Sequence, residues 1–440
     1  MSLPINLPDD SVLVTCTAPV NIAVVKYWGK RDSNLILPTN SSLSGTIDQG
    51  SMRSKTTIIA SKSFERDEMT LNGKEENIVS SKRLSTVLNE LRARASDFVG
   101  EDGRVLIAAA DWSQYKLRIV SENNFPTAAG LASSASGFAC FAKCLATVFN
   151  VHERFEGELS AFARQGSGSA CRSLYGGWVK WNMGEREDGS DSFAEQVADE
   201  LHWPEMRVLI LVAHDGRKEV PSTSGMETTV QTSDLLQHRI KNVVPARMER
   251  MEAAIRARDF ASFAEETIRD SNQFHAVCLD TCPPIFYLNA ASKRIISVIT
   301  ALNAARAAAG EPPAAAYTFD AGPNAVLYIP DERTMELVLA VVARAFKPEC
   351  VAADSARDAA WISDPLALSY VGRGAESVEV PAAWESAVRA AVGNEEGVAR
   401  EDEKVHKIFV SKVGGGPVVE EKAHSFDADV KHMAKKRCVQ

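Results

Sequence analysis

The chain has 440 residues, 45% of them hydrophobic and 24% charged, which is more than one ordinary core organises and points to two domains of a soluble globular protein. Its formal charge of -9 argues against nucleic acid or an anionic membrane as the main partner and still allows a local basic cleft. No apolar run is long enough to span a bilayer. The eight cysteines follow no zinc-finger spacing and no basic-then-apolar leader opens the chain, so a reducing, cytoplasmic setting is expected.

Val12 to Thr17 (VLVTCT) has the content of a strand, which Ala18-Pro19 ends. Thr56 to Ser61 and Glu68 to Leu71 read as further strands, the second turning on Asn72-Gly73. Ser81 to Ala95 has helical periodicity, and Lys116 to Ser121 alternates as a strand. A helix follows Ser134, with Phe138, Phe141, Leu145, Val148 and Phe149 on one stripe. Glu158 to Gln165 predicts a second helix, Gly166 to Arg172 a glycine-serine loop, and Gly176 to Trp181 a strand. His202-Trp203-Pro204 marks a boundary, dividing the chain into domains at 1–203 and 204–440. Met206 to Ala213 is nearly continuous in apolar residues, as in a strand buried on both faces. Helices are predicted over 232–242, 246–257, 260–271 and 287–309, then a turn at Phe319 to Asn324 between short strands, then a helix from Arg333 to Phe346. From about Gly372 the chain is richer in charge and is set apart as a C-terminal extension. The alternation of strands and helices argues for a layered α/β or α+β architecture.

Asn123 to Gly137 reads NNFPTAAGLASSASG. Backbone N–H groups in a tight loop attract anions, and a helix starting just after it adds a positive dipole end. Small side chains let phosphates approach the backbone itself. The hydroxyls of Ser133 and Ser134 stand at the helix start, where they can bind phosphate oxygen or Mg2+ without blocking access. The stretch reads as a polyphosphate loop, with a plain turn capped by Ser134 as the alternative. No G-x-x-x-x-G-K-[ST] occurs, so it is not a Walker A loop.

PTAAGLASSA resembles the phosphate loop P-x-x-x-G-L-G-S-S-A of the GHMP kinases, departing from it at Ala132. With that departure, NNFPTAAGLASSA resembles one branch of them, the diphosphomevalonate decarboxylases. Three other stretches are similar to signatures of that branch and stand in its order. They are APVNIAVVKYWGK at Ala18 to Lys30 with LPTNSSLSGTI shortly after, GSGSACRSLY at Gly166 to Tyr175 followed by GGW, and FDAGPNA at Phe319 to Ala325. Agreement at four separated motifs is far more specific than at one.

The resemblance implies an α+β, two-lobed GHMP-kinase fold with its active site in the cleft between an N-terminal and a C-terminal lobe. It implies an ATP- and Mg2+-dependent reaction. The tertiary 3-hydroxyl of (R)-5-diphosphomevalonate is phosphorylated, and loss of that phosphate and of the C1 carboxylate gives isopentenyl diphosphate, CO2, ADP and phosphate. Carried residue by residue, the catalytic group is Asp320, Lys26 and Arg172. Asp320 would stand beside the 3-hydroxyl, although read locally it is a turn aspartate. Arg172 would clamp the C1 carboxylate, although a surface ion pair is its ordinary use. Lys26 would neutralise phosphate charge. Substrate binding would fall to Asn21 (also supporting Lys26), Tyr27, Ser167, Ser169, Arg172, Ser222, Thr223 and Met226, with Lys218 a weaker candidate. Trp28 is either core or site. Gly130, Ala132, Ser133 and Ser134 would hold the ATP phosphates, and one of the two serines the Mg2+. The competing readings are another small-molecule kinase of the superfamily, for mevalonate or phosphomevalonate, and a non-catalytic sensor that keeps the fold. A homodimer is expected from the relatives, with no nucleic-acid or membrane partner.

Overall fold

Three sheets carry the molecule, and the chain visits their strands far out of sequence order. The computed structural model describes residues 8, 10–100, 103–125, 133–214, 216, 218–347, 361–366 and 378–424. The first sheet has the order β19-β1-β6-β11-β7-β8. Its strands are β1 (Val12–Pro19), β6 (Arg53–Ser61), β7 (Glu68–Leu71), β8 (Lys74–Glu76), β11 (Lys116–Asn123) and β19 (Val418–His424). Along β1, Val12, Val14, Cys16 and Ala18 point to one core at a period of two. That face packs on helix α2 (Ser133–Val148), whose Cys140 and Cys144 thiols donate to the carbonyls of Cys16 and Val14 at 3.2 and 3.3 Å. Cys140 and Cys144, four apart on one helical face, thus serve packing. Asn72 and Gly73 both take positive φ, 48° and 76°, as the two-residue β7–β8 turn demands.

After β1 the chain changes sheet at Val20. The second sheet is β13-β12-β5-β2, from β2 (Asn21–Val25), β5 (Ser42–Thr46), β12 (Trp178–Trp181) and β13 (Ala194–Ala198). The third is β15-β16-β14-β18-β17, from β14 (Arg207–Val212), β15 (Ala316–Phe319), β16 (Ala325–Ile329), β17 (Ile362–Ser363) and β18 (Lys407–Lys412). Two short ribbons, β3–β4 (Lys30–Asp32, Leu37–Pro38) and β9–β10 (Phe98–Val99, Val105–Ile107), complete the strands among the described residues.

The second and third sheets share one core, which binds the two halves of the chain together. The Trp178 ring lies 5.1 Å from Phe263 and 5.8 Å from Tyr328, and Tyr328 donates its hydroxyl to the Ile22 carbonyl at 3.1 Å. Gly45 lies beneath these rings; a Cβ there would stand 2.9 Å from the Tyr328 oxygen, so this close approach requires glycine.

The helices are α1 (Lys82–Arg92), α2, α3 (Glu158–Gly166), α4 (Ser222–Thr232), α5 (Asp234–His238), α6 (Val244–Ala257), α7 (Phe260–Asp280), α8 (Ala290–Ala308), α9 (Glu332–Phe346) and α10 (Ala382–Val392). Among them none is long and apolar enough to cross a membrane. The structure departs from expectation in four places. Gly168–Leu174, read as loop, is a 3-10 helix that packs beside α2 and α3. Residues 232–242, read as one helix, are broken at Ser233 and then wind as a π turn over Arg239–Val243. Helix α7 continues past Ser271 to Asp280, because Phe274, Val277 and Cys278 carry its buried stripe onward. The stretch after about residue 372, set apart in the sequence, supplies β18 to the interior of the third sheet and β19 to the edge of the first. Ile408, Phe409 and Val410 of β18 are buried.

Removing β18 opens the β14–β17 gap and uncovers that apolar strip. A chain ending at Lys404 is expected to lose cooperative thermal unfolding, followed by circular dichroism; a sharp melt like that of the full chain would contradict the role given to these strands.

Candidate active site

Lys26 stands just past the end of β2, where the strand has left its neighbour. Its backbone N–H donates to Asp270 Oδ1 at 2.7 Å, and its carbonyl accepts from Asn40 Nδ2 at 3.0 Å and Arg239 Nη2 at 3.1 Å. The buried side chain runs to Asp320, Nζ to Oδ1 at 2.5 Å. An ammonium buried this deeply requires such a partner. Asp320 follows β15 in the turn that the FDAGPNA stretch predicts. The turn is clamped: Gly322 N–H donates to the Asp320 carbonyl at 2.7 Å, Ser292 Oγ to Pro323 O at 2.7 Å, and Lys218 Nζ to Ala321 O at 2.9 Å. The turn is built locally, but the aspartate side chain serves Lys26.

Arg172 is buried among neutral oxygens. Its Nε donates to Asn21 Oδ1 at 3.2 Å and to Ser44 Oγ at 3.0 Å, and its Nη1 to Ser42 Oγ. Burial, first among the causes, draws its pKa below the ordinary guanidinium value. The local reading as a surface ion pair is therefore wrong: among the described residues no carboxylate bonds to it. Asn21 was expected to support Lys26; its amide instead donates to Ser169 O at 3.0 Å and Ser173 Oγ at 2.7 Å while its oxygen holds Arg172. Ser42 and Ser44 stand in the LPTNSSLSGTI stretch, where that motif was the available signal for them.

These groups line one cleft of about 330 Å3. It gathers Asn21, Lys26, Tyr27, Ser133, Ser134, Ser167, Ser169, Arg172, Lys218, Ser222, Thr223, Met226 and Asp320. Gly130 and Ala132 of the small-residue loop lie outside the described residues. Ser133 and Ser134 open α2, and Ser134 Oγ lies 3.3 Å from Ser167 Oγ. Among the described residues no partner bonds the buried Tyr27 hydroxyl; burial pushes its phenol pKa up. Trp28 is both core and wall: it lines the cleft, donates to Thr229 Oγ1 at 3.0 Å and packs edge-on against Phe274 at 4.9 Å. Gly29, at φ +93°, gives the turn after it a conformation other residues resist.

Lys30 and Arg83 also reach the cleft, and sequence reasoning left both unassigned. Arg83 rises from the first turn of α1 with no motif around it and donates to Thr223 Oγ1 at 3.1 Å. Burial, then the charge of Arg83, lowers the Lys30 pKa. Ser222 accepts from Lys218 at 2.7 Å. Among the described residues the lining thus holds five cations, Lys26, Lys30, Arg83, Arg172 and Lys218, against one acid, Asp320, in a chain of net charge -9. Such a cleft attracts a polyanion. The donor set also suits Mg2+ on phosphate, with hydroxyl oxygens at a helix start as hard ligands.

A mixed α+β fold of two halves around a phosphate-attracting cleft places the chain among enzymes of GHMP type. Residues 18–194 match the family of N-terminal domains described as diphosphomevalonate decarboxylase-like, and residues 208–420 the mevalonate 5-diphosphate decarboxylase C-terminal domain. The chain is 57% identical over 346 residues to the diphosphomevalonate decarboxylase of Danio rerio, covering 78% of this chain and 82% of that one. Against the Homo sapiens protein of the same name it is 55% identical over 329 residues, 74% and 79% of the two chains. The solved mevalonate diphosphate decarboxylase of Trypanosoma brucei superposes with a TM-score of 0.79 at 35% identity, over 93% of this chain and 98% of that one. A structure described as MDDEF in complex with MVAPP, AMPPCP and magnesium superposes at 0.66 and 28% identity, over 93% and 99%. The chain belongs to the diphosphomevalonate decarboxylase family.

His275 backs the site, its ring 4.7 Å from Phe274 and 6.2 Å from Phe319. Burial, then the charge of Lys26, lowers its pKa to about 4. The unfolded chain therefore takes up this proton first. The stability gained by keeping the ring neutral is full above about pH 6.5 and is lost as pH falls through about 4, roughly 3 kcal/mol in all. His275→Gln is expected to flatten the fall in urea-unfolding free energy between those pH values; an unchanged slope would show that the ring is not held neutral.

Proposed function

We infer that the chain catalyses the ATP-dependent decarboxylation of (R)-5-diphosphomevalonate to isopentenyl diphosphate, CO2, ADP and phosphate, a step of the mevalonate pathway toward isoprenoids and sterols. The observation that carries the assignment of roles is the Lys26–Asp320 pair at 2.5 Å, with Asp320 the one acid among the described residues of a cationic cleft. A tertiary alcohol leaves poorly and its phosphate ester leaves well. Asp320 orients the 3-hydroxyl and takes its proton as the γ-phosphoryl group arrives. Lys26 holds Asp320 in place and balances charge gathering on the transferred group. Ser133 or Ser134 would hold Mg2+, which would supply neutralisation of the ATP phosphate oxygens.

Arg172 fits the C1 carboxylate. Its guanidinium is buried with neutral partners only, so a ligand carboxylate completes it with charge-assisted hydrogen bonds. Ser42, Ser44 and Asn21 hold the fork in place, and that fixes the angle at which C1 sits. Once phosphate departs, the electrons of the C1–C2 bond form the alkene and CO2 leaves. Tyr27, whose buried hydroxyl has no partner among the described residues, bonds the substrate diphosphate, with Ser167, Ser169, Ser222, Thr223 and the cations Lys30, Arg83 and Lys218 around it. Met226 packs beside Trp28 as part of the wall. Gly130, Ala132, Ser133 and Ser134 would bind the ATP phosphates, one of the two serines taking the metal.

The same reading assigns 1–203 to nucleotide binding and 204–440 to the second lobe, makes the protein a cytoplasmic enzyme, and makes it a homodimer. A monomer mass in sedimentation equilibrium would refute the last.

Asp320→Asn keeps the shape and removes the base. It is expected to lower kcat by about 10^3-fold or more with KM for both substrates within a few-fold. ADP and CO2 followed together in the native enzyme are expected in a 1:1 ratio. Near-normal turnover of Asp320→Asn would remove it from the chemistry, and ADP without CO2 would make the chain a kinase.

A further inference from the structure

Helix α7 lies along two open sheet edges at once. It packs on β2, the last strand of the second sheet, and on β15, the last strand of the third. Backbone groups at such edges have no strand to pair with and need other partners. Two consecutive residues of α7 supply them. Asp270 accepts the N–H of Lys26 at 2.7 Å, and Ser271 Oγ accepts the N–H of Phe319, the residue before Asp320, at 3.0 Å. One helix position therefore holds the backbone behind the ammonium, and the next holds the backbone behind the carboxylate.

The anchor is itself rigid. Asp270 is fully buried and receives Arg239 Nη2 on Oδ1 at 3.0 Å and Arg247 Nη1 on Oδ2 at 3.0 Å. Both guanidinium groups also share the Gln273 Oε1 oxygen, at 2.7 and 3.0 Å, and Arg247 Nε reaches Glu266 at 3.1 Å. Burial by itself would raise the Asp270 pKa, and the arginine charges outweigh it and hold it low. Arg239 closes the arrangement by donating to the Lys26 carbonyl, so both backbone polar groups of Lys26 are held by one ionic cluster. The π turn Arg239–Val243 carries this arginine. A buried cluster of this kind is a costly way to gain stability alone, since apolar side chains fill the same space without desolvating charge. What it adds is a fixed position.

We propose that the Asp270–Ser271 step of α7 is a positioning device, which sets the separation between Lys26 Nζ and Asp320 Oδ1 and so the geometry of proton removal from the substrate hydroxyl. It rests on the roles given to Lys26 and Asp320 above. Neither residue lines the cleft, so neither touches substrate. Their loss acts on the reacting pair and leaves the binding groups in place.

The test measures kcat, KM for both substrates and calorimetric Kd for mevalonate diphosphate in Ser271→Ala, Ser271→Thr, Asp270→Asn and Asp320→Asn, with melting curves for each. A displacement on the order of 1 Å at a reacting pair costs about 10- to 100-fold in rate. Ser271→Ala is therefore expected to lose about tenfold or more in kcat, with KM and Kd within about twofold and a cooperative melt. Ser271→Thr, which keeps the hydroxyl, is expected to recover most of that loss. Asp270→Asn is expected to behave as Ser271→Ala does; if it does not fold, the Ser271 pair decides the matter. Unchanged kcat in Ser271→Ala, a kcat loss matched by weakened binding, or a Ser271→Thr enzyme as slow as Ser271→Ala overturns the proposal. An active Asp320→Asn enzyme overturns the reading of the site itself, whereas an inactive Asp320→Asn beside a normal Ser271→Ala overturns only the positioning role.

Discussion

A lysine ammonium buried at the floor of a cleft has to meet a carboxylate that lies 294 positions away in the chain. Much of the architecture around the site follows from that requirement. The lysine must leave a sheet edge, because only there is a side chain free to reach forward while its backbone is tied from behind. The aspartate must sit on a stiff turn, because a mobile carboxylate would follow solvent rather than the ammonium. The two therefore belong to different sheets, and those sheets have to be locked together. Trp178, Phe263 and Tyr328 do this, by packing the second sheet against the third and against α7.

The cleft places five cations where two phosphate-bearing ligands would bring many negative charges. Mutual repulsion among those cations is what makes the empty site costly and the filled one favourable. Burial first, and then the charge of Arg83, draws the Lys30 pKa down. Two buried carboxylates, by contrast, are neutralised by arginines. Glu158 is held at about 2 against burial by Arg154 and Arg94, and Glu403 at about 2 by Arg294 and Arg400. Arg172, like Arg164, is instead buried among neutral oxygens, and of the two only Arg172 lines the cleft.

The chemistry-bearing residues were legible in the sequence to the extent that their short stretches resemble family motifs. Read locally FDAGPNA gives a turn aspartate, and only the family resemblance of the stretch singled out Asp320. GSGSACRSLY likewise exposed Arg172, Ser167 and Ser169, though not that the segment winds as a 3-10 helix, since glycine and serine have weak local preferences. Arg83 stayed hidden because an arginine within an amphipathic helix looks like every solvated arginine. The tail after residue 372 looked like an appendage because KIFVSK is a short run with lysine at both ends; only its neighbours make it an interior strand.

Lys26, Arg172 and Asp320 were named through the family resemblance of their motifs; by itself the sequence determined the strand over Val12 to Thr17 and the Asn72-Gly73 hairpin. The strand and the hairpin depend on local rules: side-chain period and allowed φ. Tertiary structure alone decided that Lys26 faces Asp320, that Asn21 holds Arg172, and that Asp270 and Ser271 accept the backbone N–H groups of Lys26 and of Phe319, the residue before Asp320. A backbone N–H accepts any nearby oxygen with equal readiness. Which oxygen it finds is settled only when a helix 244 residues away is laid along the open edge of its strand.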